Sequence, residues 1–472
     1  MKTTSDEKLG SQPLGRLILS MAVPSVTAQL INVLYNIVDR IYIGHIQGYG
    51  DVALTGVGVT FPILMLVSAF SAFAGMGGAP LASIQLGRRD REKAEEILGN
   101  SAALLILFSI VLTVGFSIFK TPVLYAFGAS DATIRYAEDY IGIYLIGTIF
   151  VQFSVGLNTF ISGQGNALTA MLSVLIGAVI NIILDPIFIF LFGMGVKGAA
   201  LATILSQAVS ALWVVRFLTS DKSVIRLRRR YMKLRPAVVK RIGSLGISPF
   251  IMQSTESLVS VTLNYGLQKY GGDLYVGTMS IMTSVMQVIT IPIQGLTQGV
   301  QPITSYNYGA GNKERVKGTF LRLIAICLTG TMILGGIAVF FPQVYVRIFT
   351  LDQELIEMTC RYMPVYFLGM TIFGLQSACQ STFVALGQAK VSVFIALLRK
   401  VILLIPLAVI LPRFMGVTGI YRAEPIADIL SVLTTSIVFM ITVKNILRNM
   451  GKSDMIKSDM INRETCGKGG ET

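Results

Sequence analysis

The chain has 472 residues, of which 53% are hydrophobic and 14% charged, and a formal net charge of +14. Soluble domains carry about 25% charged residues, so the composition excludes an ordinary globular protein and points to a bilayer. The basic excess does not indicate nucleic acid, because it gathers in short loops between apolar runs, as anchoring at an anionic inner leaflet requires.

In chain order, residues 1–13 form a polar segment predicted to be a cytoplasmic tail. The apolar run that follows has no small-residue cleavage site behind it, so it reads as a retained span and not a signal peptide. Residues 52–87, 140–184, 274–312 and 362–389 contain no formal charge, and a spanning helix needs about 20 mostly apolar residues. Spans are predicted near 15–39, 52–80, 97–119, 137–161, 168–192, 198–217, 242–266, 275–303, 319–341, 360–385, 391–411 and 417–443. The fold class is therefore an all-α integral membrane protein of twelve transmembrane helices. Two six-helix lobes, 14–217 and 241–448, are joined by a basic cytoplasmic linker at 218–240, and 449–472 is predicted to be a disordered cytoplasmic tail.

Alternating spans put three basic loops on one side: Arg88, Arg89, Arg91 and Lys93; the linker; and Lys313, Arg315 and Lys317. Loops on the other side are acidic at Asp131, Glu138 and Asp139, and at Asp352, Glu354 and Glu357. The basic side is expected to be cytoplasmic, with both termini there.

An offset of 222 residues relates the halves: Gly77, Pro80, Ser83 and Gly87 match Gly299, Pro302, Ser305 and Gly309, and Gly165 matches Gly387. The offset is 225 near the start, pairing Pro24 with Pro249, and 221 near the end, pairing Gly195 with Gly416. An even number of spans per half gives both halves the same topology, related by a pseudo-two-fold axis along the membrane normal. Two such bundles suit alternating access. No Walker A motif is present, so pumping is expected to draw on an ion gradient or on a separate subunit. The charged turns after Gly87 and Gly309 are expected to carry topology and not chemistry.

Charges inside hydrocarbon are costly and mark function. Asp185 lies deep in the fifth span, one turn after Asn181 and immediately before Pro186, which removes a backbone donor. Asp39, near the outer end of the first span, is a second carboxylate of the same half, and Thr203 offers a hydroxyl. Two such carboxylates can share a proton or bind sodium. Glu256 sits in mid-span in the second half, where its repeat mate is Ile31. Arg399 and Lys400 interrupt the eleventh span, and Glu424 and Asp428 stand one turn apart in the twelfth, which invites interhelical ion pairs. Gln287, Gln376 and Gln380 are candidates to line a cavity, with Met282 and Met370 as adaptable apolar surface. His45 is the only histidine and the cysteines are irregularly spaced, so neither a multi-histidine metal site nor a disulfide framework is expected, and no cofactor is.

Several segments together resemble the multidrug and toxic compound extrusion family: Pro24 through Asp39 with Ile41-Tyr42-Ile43-Gly44, Gly163-Gln164-Gly165-Asn166, Asn181 through Pro186, Gly198 through Thr203, and Glu424-Pro425-Ile426-Ala427-Asp428. The resemblance runs from about Leu14 to Arg448 and is nearest to the bacterial multidrug exporters. It implies a secondary active antiporter in the bacterial inner membrane, not an enzyme, that exports cationic amphipathic compounds in exchange for protons or sodium. Membrane lipids are its surroundings and a monomer its expected state. The family's acidic pair falls on Asp39 and Asp185, with Asn181 and Thr203 as polar ligands and sodium, if used, at Asp39, Asn181 and Asp185. A first-helix proline linked to bending falls on Pro24. A C-lobe acid falls on Glu256, but Gln376 and Gln380 stand where that branch has a further aspartate. The alternative is a lipid-linked precursor flippase of the same wider fold, which would need a strongly cationic cavity.

Overall fold

The computed structural model describes residues 5–467, with side chains over 7–450 except at 257 and 273. A short helix, α1 (Ser5–Ser11), precedes three long ones: α2 (Leu14–Gly44), α3 (Gly50–Gly87) and α4 (Arg91–Ala126). The fourth predicted span is broken into α5 (Ile134–Ile146), α6 (Thr148–Val151), a π-helical turn (Gln152–Leu157) and α7 (Asn158–Gly163). It is followed by α8 (Ala167–Pro186), which runs into a π turn at Ile187–Leu191, and by α9 (Val196–Thr219). The second half begins with α10 (Pro236–Tyr270), α11 (Asp273–Gly309), α12 (Lys313–Phe340) and the short α13 (Pro342–Phe349). Its fourth span is α14 (Gln353–Tyr366) and α15 (Phe373–Ala385), parted by a single 3-10 turn. The chain ends with α16 (Ala389–Leu397), a π-helical stretch (Leu398–Leu404), α17 (Ile405–Ile410), α18 (Pro412–Met415) and α19 (Val417–Gly467).

Nine of these helices, among the described residues, are long and apolar enough to cross a membrane, and Ile134–Ile146 with Thr148–Gly163 is a tenth if read as one span bent by 61°. The other two predicted spans fall on α10 and on the α14–α15 pair. Both are diluted by polar residues: α10 holds Gln253, Ser254, Thr255 and Glu256 in succession, and α14 holds Glu354, Glu357 and Arg361.

The internal repeat is visible in the contacts. Ser83 Oγ donates to the Gly163 carbonyl at 2.6 Å, and its mate Ser305 donates to Ala385 at 2.9 Å. Asp90 and Asn312 are also mates, and each caps the helix after the charged turn, accepting from the backbone N–H of Lys93 and Arg315. Gly195 and Gly416 both adopt positive φ, 55° and 57°, where a side chain would be strained.

The halves meet along α3 with α10 and α2 with α11. Gly77 lies against Gly246, and its mate Gly299 against Met21 and Ala22. Gly87 lies against Tyr306 and Gly309 against Ile84, so close that a Cβ on either glycine would stand 2.0 Å from the facing carbonyl oxygen. Each contact is matched by that of the repeat mates, which defines a two-fold-like interface. Small residues let helix backbones approach this closely in lipid. These contacts gather at the end that carries the basic turns. Phe70, Phe73 and Phe250 and a Gln29–Gln298 hydrogen bond of 2.9 Å close the seam farther in.

Beyond that seam α10 and α11 turn polar residues outward. Glu256, Ser260, Asn264 and Gln268 are exposed at four-residue spacing, and Ser280, Thr283 and Gln287 are exposed on one face of α11. Leu258, Val261 and Tyr265 occupy a different exposed sector of α10. Polar side chains at membrane depth face a water-filled space, so the molecule is closed at the basic end and open at the other.

Three expectations change. The N-terminal tail is not merely polar: α1 docks with Leu9 fully buried. The basic linker is tied down at several points. Gln164 Oε1 accepts from the backbone of Val224 at 2.7 Å, Arg228 pairs with Glu95 at 2.8 Å and Arg235 with Glu96 at 2.5 Å. These bonds fasten it to the N-terminal half, and α10 starts at Pro236, before the predicted boundary, because proline suits a first helical turn. The segment expected to be disordered after Arg448 continues α19 as far as Gly467; it contains no proline to stop the helix.

Candidate functional site

The site in the first half is assembled by α2, α8, α9 and α5. Asp39 is buried on α2, whose apolar exposed stripe Leu30, Leu34, Ile37 and Ile41 faces away from it. Asp185 is fully buried at the end of α8. The helical period puts Asn181 on the same face, and its Nδ2 donates to Asp185 Oδ1 at 3.2 Å. Proline at 186 withholds an N–H, and the helix passes into the wider π turn that follows. Asp39 and Asp185 lie near enough for their charges to interact directly. Asp39 Oδ1, Asn181 Oδ1 and Asp185 Oδ2 are buried and have no hydrogen-bond partner.

No ion pair reaches either carboxylate among the described residues. Arg40, next to Asp39 in sequence, is exposed, and its guanidinium lies 5.5 Å over the Phe61 ring. Two bare carboxylates away from water are costly. Three unpartnered oxygens, two of them acidic, fit a proton or a hard monovalent cation, and among the described residues no group of three or more histidine, cysteine or carboxylate residues offers a tighter metal site. Thr203 is buried beside them and shares a hydrogen bond with Tyr140. Tyr35, Tyr140 and Tyr144 form a wall that sequence reasoning passed over: Tyr140 stacks on Tyr144, and both Tyr140 and Tyr35 interact with the Asp39 charge. The signal was present, since Tyr140 and Tyr144 are one turn apart and repeat as Tyr362 and Tyr366. Pro24 lies within α2, which continues through it as one helix.

The polar residues of the second half divide into two groups. Glu256 and Gln287 are exposed toward the opening. Gln376 and Gln380 are buried; Gln380 Nε2 donates to Ser248 Oγ and to Ser392 Oγ, each at 2.9 Å, and so ties α15 to α10 and α16. Met282 and Met370, read as adaptable cavity surface, lie fully packed in the core of this half. The expected ion pairs are present. Arg399 Nε donates to Asp428 Oδ1 at 2.6 Å and its Nη2 to Glu424 Oε1 at 3.0 Å. Lys400 pairs with Glu256.

The MatE family model matches residues 24–187 and 249–410, more than half of the chain. A multidrug export protein MepA of Staphylococcus haemolyticus (strain JCSC1435) is 25% identical over 88% of this chain and 90% of its own length. One of Staphylococcus aureus (strain MSSA476) is 26% identical over 90% and 93%. A crystal structure of MATE in the bent conformation superposes with a TM-score of 0.89 at 22% identity, covering 96% of this chain and all of that one. The last likeness shows the fold, and the family model, spanning both halves, shows the kinship: the chain belongs to the MatE family of transporters.

Proposed function

We propose that the protein is a secondary active antiporter that exports cationic amphipathic compounds across the bacterial cytoplasmic membrane, with both termini inside. The lobes 14–217 and 241–448 rock about the seam of α2, α3, α10 and α11. The coupling ion, a proton or sodium, binds as a transported substrate at Asp39 and Asp185, with Asn181 and Thr203 completing the polar shell. The observation that carries this reading is the trio of buried, unpartnered oxygens on Asp39, Asn181 and Asp185. Glu256 and Gln287, on the polar faces of the opening, meet the positively charged cargo, while Gln380 ties the second lobe's helices together.

Binding drives the cycle only if the ion distinguishes the two facing states. Asp39 lies on α2, a seam helix, and Asp185 on α8 of the same lobe, so ligation joins a helix that touches the other lobe to one behind it. Relatives named as multidrug export proteins support export of more than one drug. The cationic cavity a diphosphate flippase needs is not favoured, because Arg399 and Lys400 are both matched by carboxylates.

Proteoliposomes loaded with a fluorescent cation, with pH and sodium gradients imposed separately, test the proposal. One gradient is expected to drive transport, and Asp185→Asn to abolish it while leaving insertion intact. Gradient-driven transport at the normal rate by that variant would refute the site.

A further inference from the structure

Arg399 and Lys400 are neighbours in a π-helical stretch, Leu398–Leu404, where the wider turn spreads successive side chains. They point to different helices. Arg399 faces α19 and is held by the buried carboxylates Asp428 and Glu424. Lys400 faces α10, donating to the Met252 carbonyl at 3.2 Å and pairing with Glu256 one turn on.

The second pair is lopsided. The Lys400 side chain is 10% exposed, whereas that of Glu256 is 61% exposed, on the polar sector of α10 that faces the opening. One member is fixed in the protein and the other is half free. A purely structural pair with so open a carboxylate would add little stability. The residue types point the same way: among the described residues of this cluster three carboxylates, Glu256, Glu424 and Asp428, meet two basic side chains, Arg399 and Lys400. A cation arriving at Glu256 meets the more exposed member of that set. Lys400 is not stranded by the exchange, since it keeps the Met252 carbonyl and lies in the field of Glu424 and Asp428. The other half has nothing equivalent: the repeat mates of Glu424 and Asp428 are Thr203 and Gln207, and that of Glu256 is Ile31.

We infer that Lys400 is a tethered counter-cation that a cationic substrate displaces from Glu256, so that this lysine sets how strongly the second lobe binds positive charge. The inference rests on the export reading and deepens it by naming a specificity-determining residue for cargo.

The test is equilibrium binding of tetraphenylphosphonium to the purified full chain, with Lys400→Gln and Lys400→Arg each made alone and together with Glu256→Gln. Lys400→Gln is expected to bind the cation tighter, on the order of tenfold for the loss of one close competing charge. Lys400→Arg, which keeps the buried charge and can grip a carboxylate through two bonds, is expected to bind it several-fold more weakly. Both effects disappear in the Glu256→Gln background. If Lys400→Gln fails to fold, the charge-preserving Lys400→Arg decides alone. Wild-type affinity in the Lys400 variants, or effects that survive Glu256→Gln, would overturn the inference. A wild-type chain that binds no such cation at all would sink the export reading first, and the inference with it.

Discussion

Asp90 and Asn312 hold the same place in the two halves and do the same work with different chemistry. Each accepts the first-turn N–H three residues on, at 3.0 and 3.2 Å, which is how a helix start is satisfied. Only the carboxylate titrates. The side chain and the backbone N–H of Lys93 both hydrogen-bond Asp90, which holds its carboxyl below the usual range. Because the folded value is depressed, the contribution of this cap is present in full above the ordinary carboxylate pKa of about 4 and is lost as the pH falls through the lowered value. Hydrogen exchange at the first turns of α4 and α12 is expected to diverge below that point, with only α4 losing protection. Asp90→Ala is expected to destabilise the start of α4 by about 0.5–2 kcal/mol at neutral pH, and that variant should lose the acid dependence. Equal protection of α4 and α12 in acid would contradict this account.

Among the elements, those with long uncharged runs were legible in the sequence, because in lipid a continuous helix is the simplest way to satisfy the backbone. α10 and the α14–α15 pair were legible from their apolar stretches and agree with the repeat, although polar residues dilute their apolarity. The candidate site divides likewise. Asp185 and Asn181 share a face by local period, so their meeting was foreseeable, as was the approach of Asp39 through the family pattern. The tyrosine wall and the separate partners of Arg399 and Lys400 depend on neighbouring helices and on a π-helical stretch that no periodicity announces. The Arg399 group supports a prediction of its own. Removing one partner of a buried ion pair strands the other, at a cost of about 3–5 kcal/mol, whereas replacing the whole set with neutral groups is often harmless. Arg399→Met alone is expected to lower the thermal midpoint in detergent sharply. The triple variant Arg399→Met, Glu424→Gln, Asp428→Asn is expected to recover most of it. A triple variant no better than the single one would show that the charges themselves, and not their balance, hold α19 against the π-helical stretch.

For the molecule as a whole, the charged turn after Gly309 does more than fix topology. Arg315 Nη2 donates to the carbonyls of Leu9 at 3.0 Å and Gln12 at 2.9 Å, and Asn307 Nδ2 donates to Leu9 at 2.9 Å. The last carbonyls of a helix lack internal partners, so α1, which leads into the first lobe, is fastened by its C-terminal end to the second. In the other half the mate of Arg315 is Lys93, which pairs with Asp90 inside its own turn. The seam is thus two-fold in its glycines but one-sided in this strap. The strap requires α1 and the α11–α12 turn to be adjacent, as they are when the basic end is closed, and opening that end breaks it. Its bonds therefore bias the molecule toward the form closed at the basic end, by an amount set by the difference between the two states. A single cysteine at Ser25, whose side chain abuts Gly299 in the seam, reports on this in a chain otherwise free of cysteine. Arg315→Gln, or removal of residues 1–11, is expected to speed labelling of that cysteine by a membrane-impermeant reagent from the basic side several-fold, while Lys93→Gln leaves it unchanged. Identical labelling in all three variants would show that the glycine crossings alone keep that end shut.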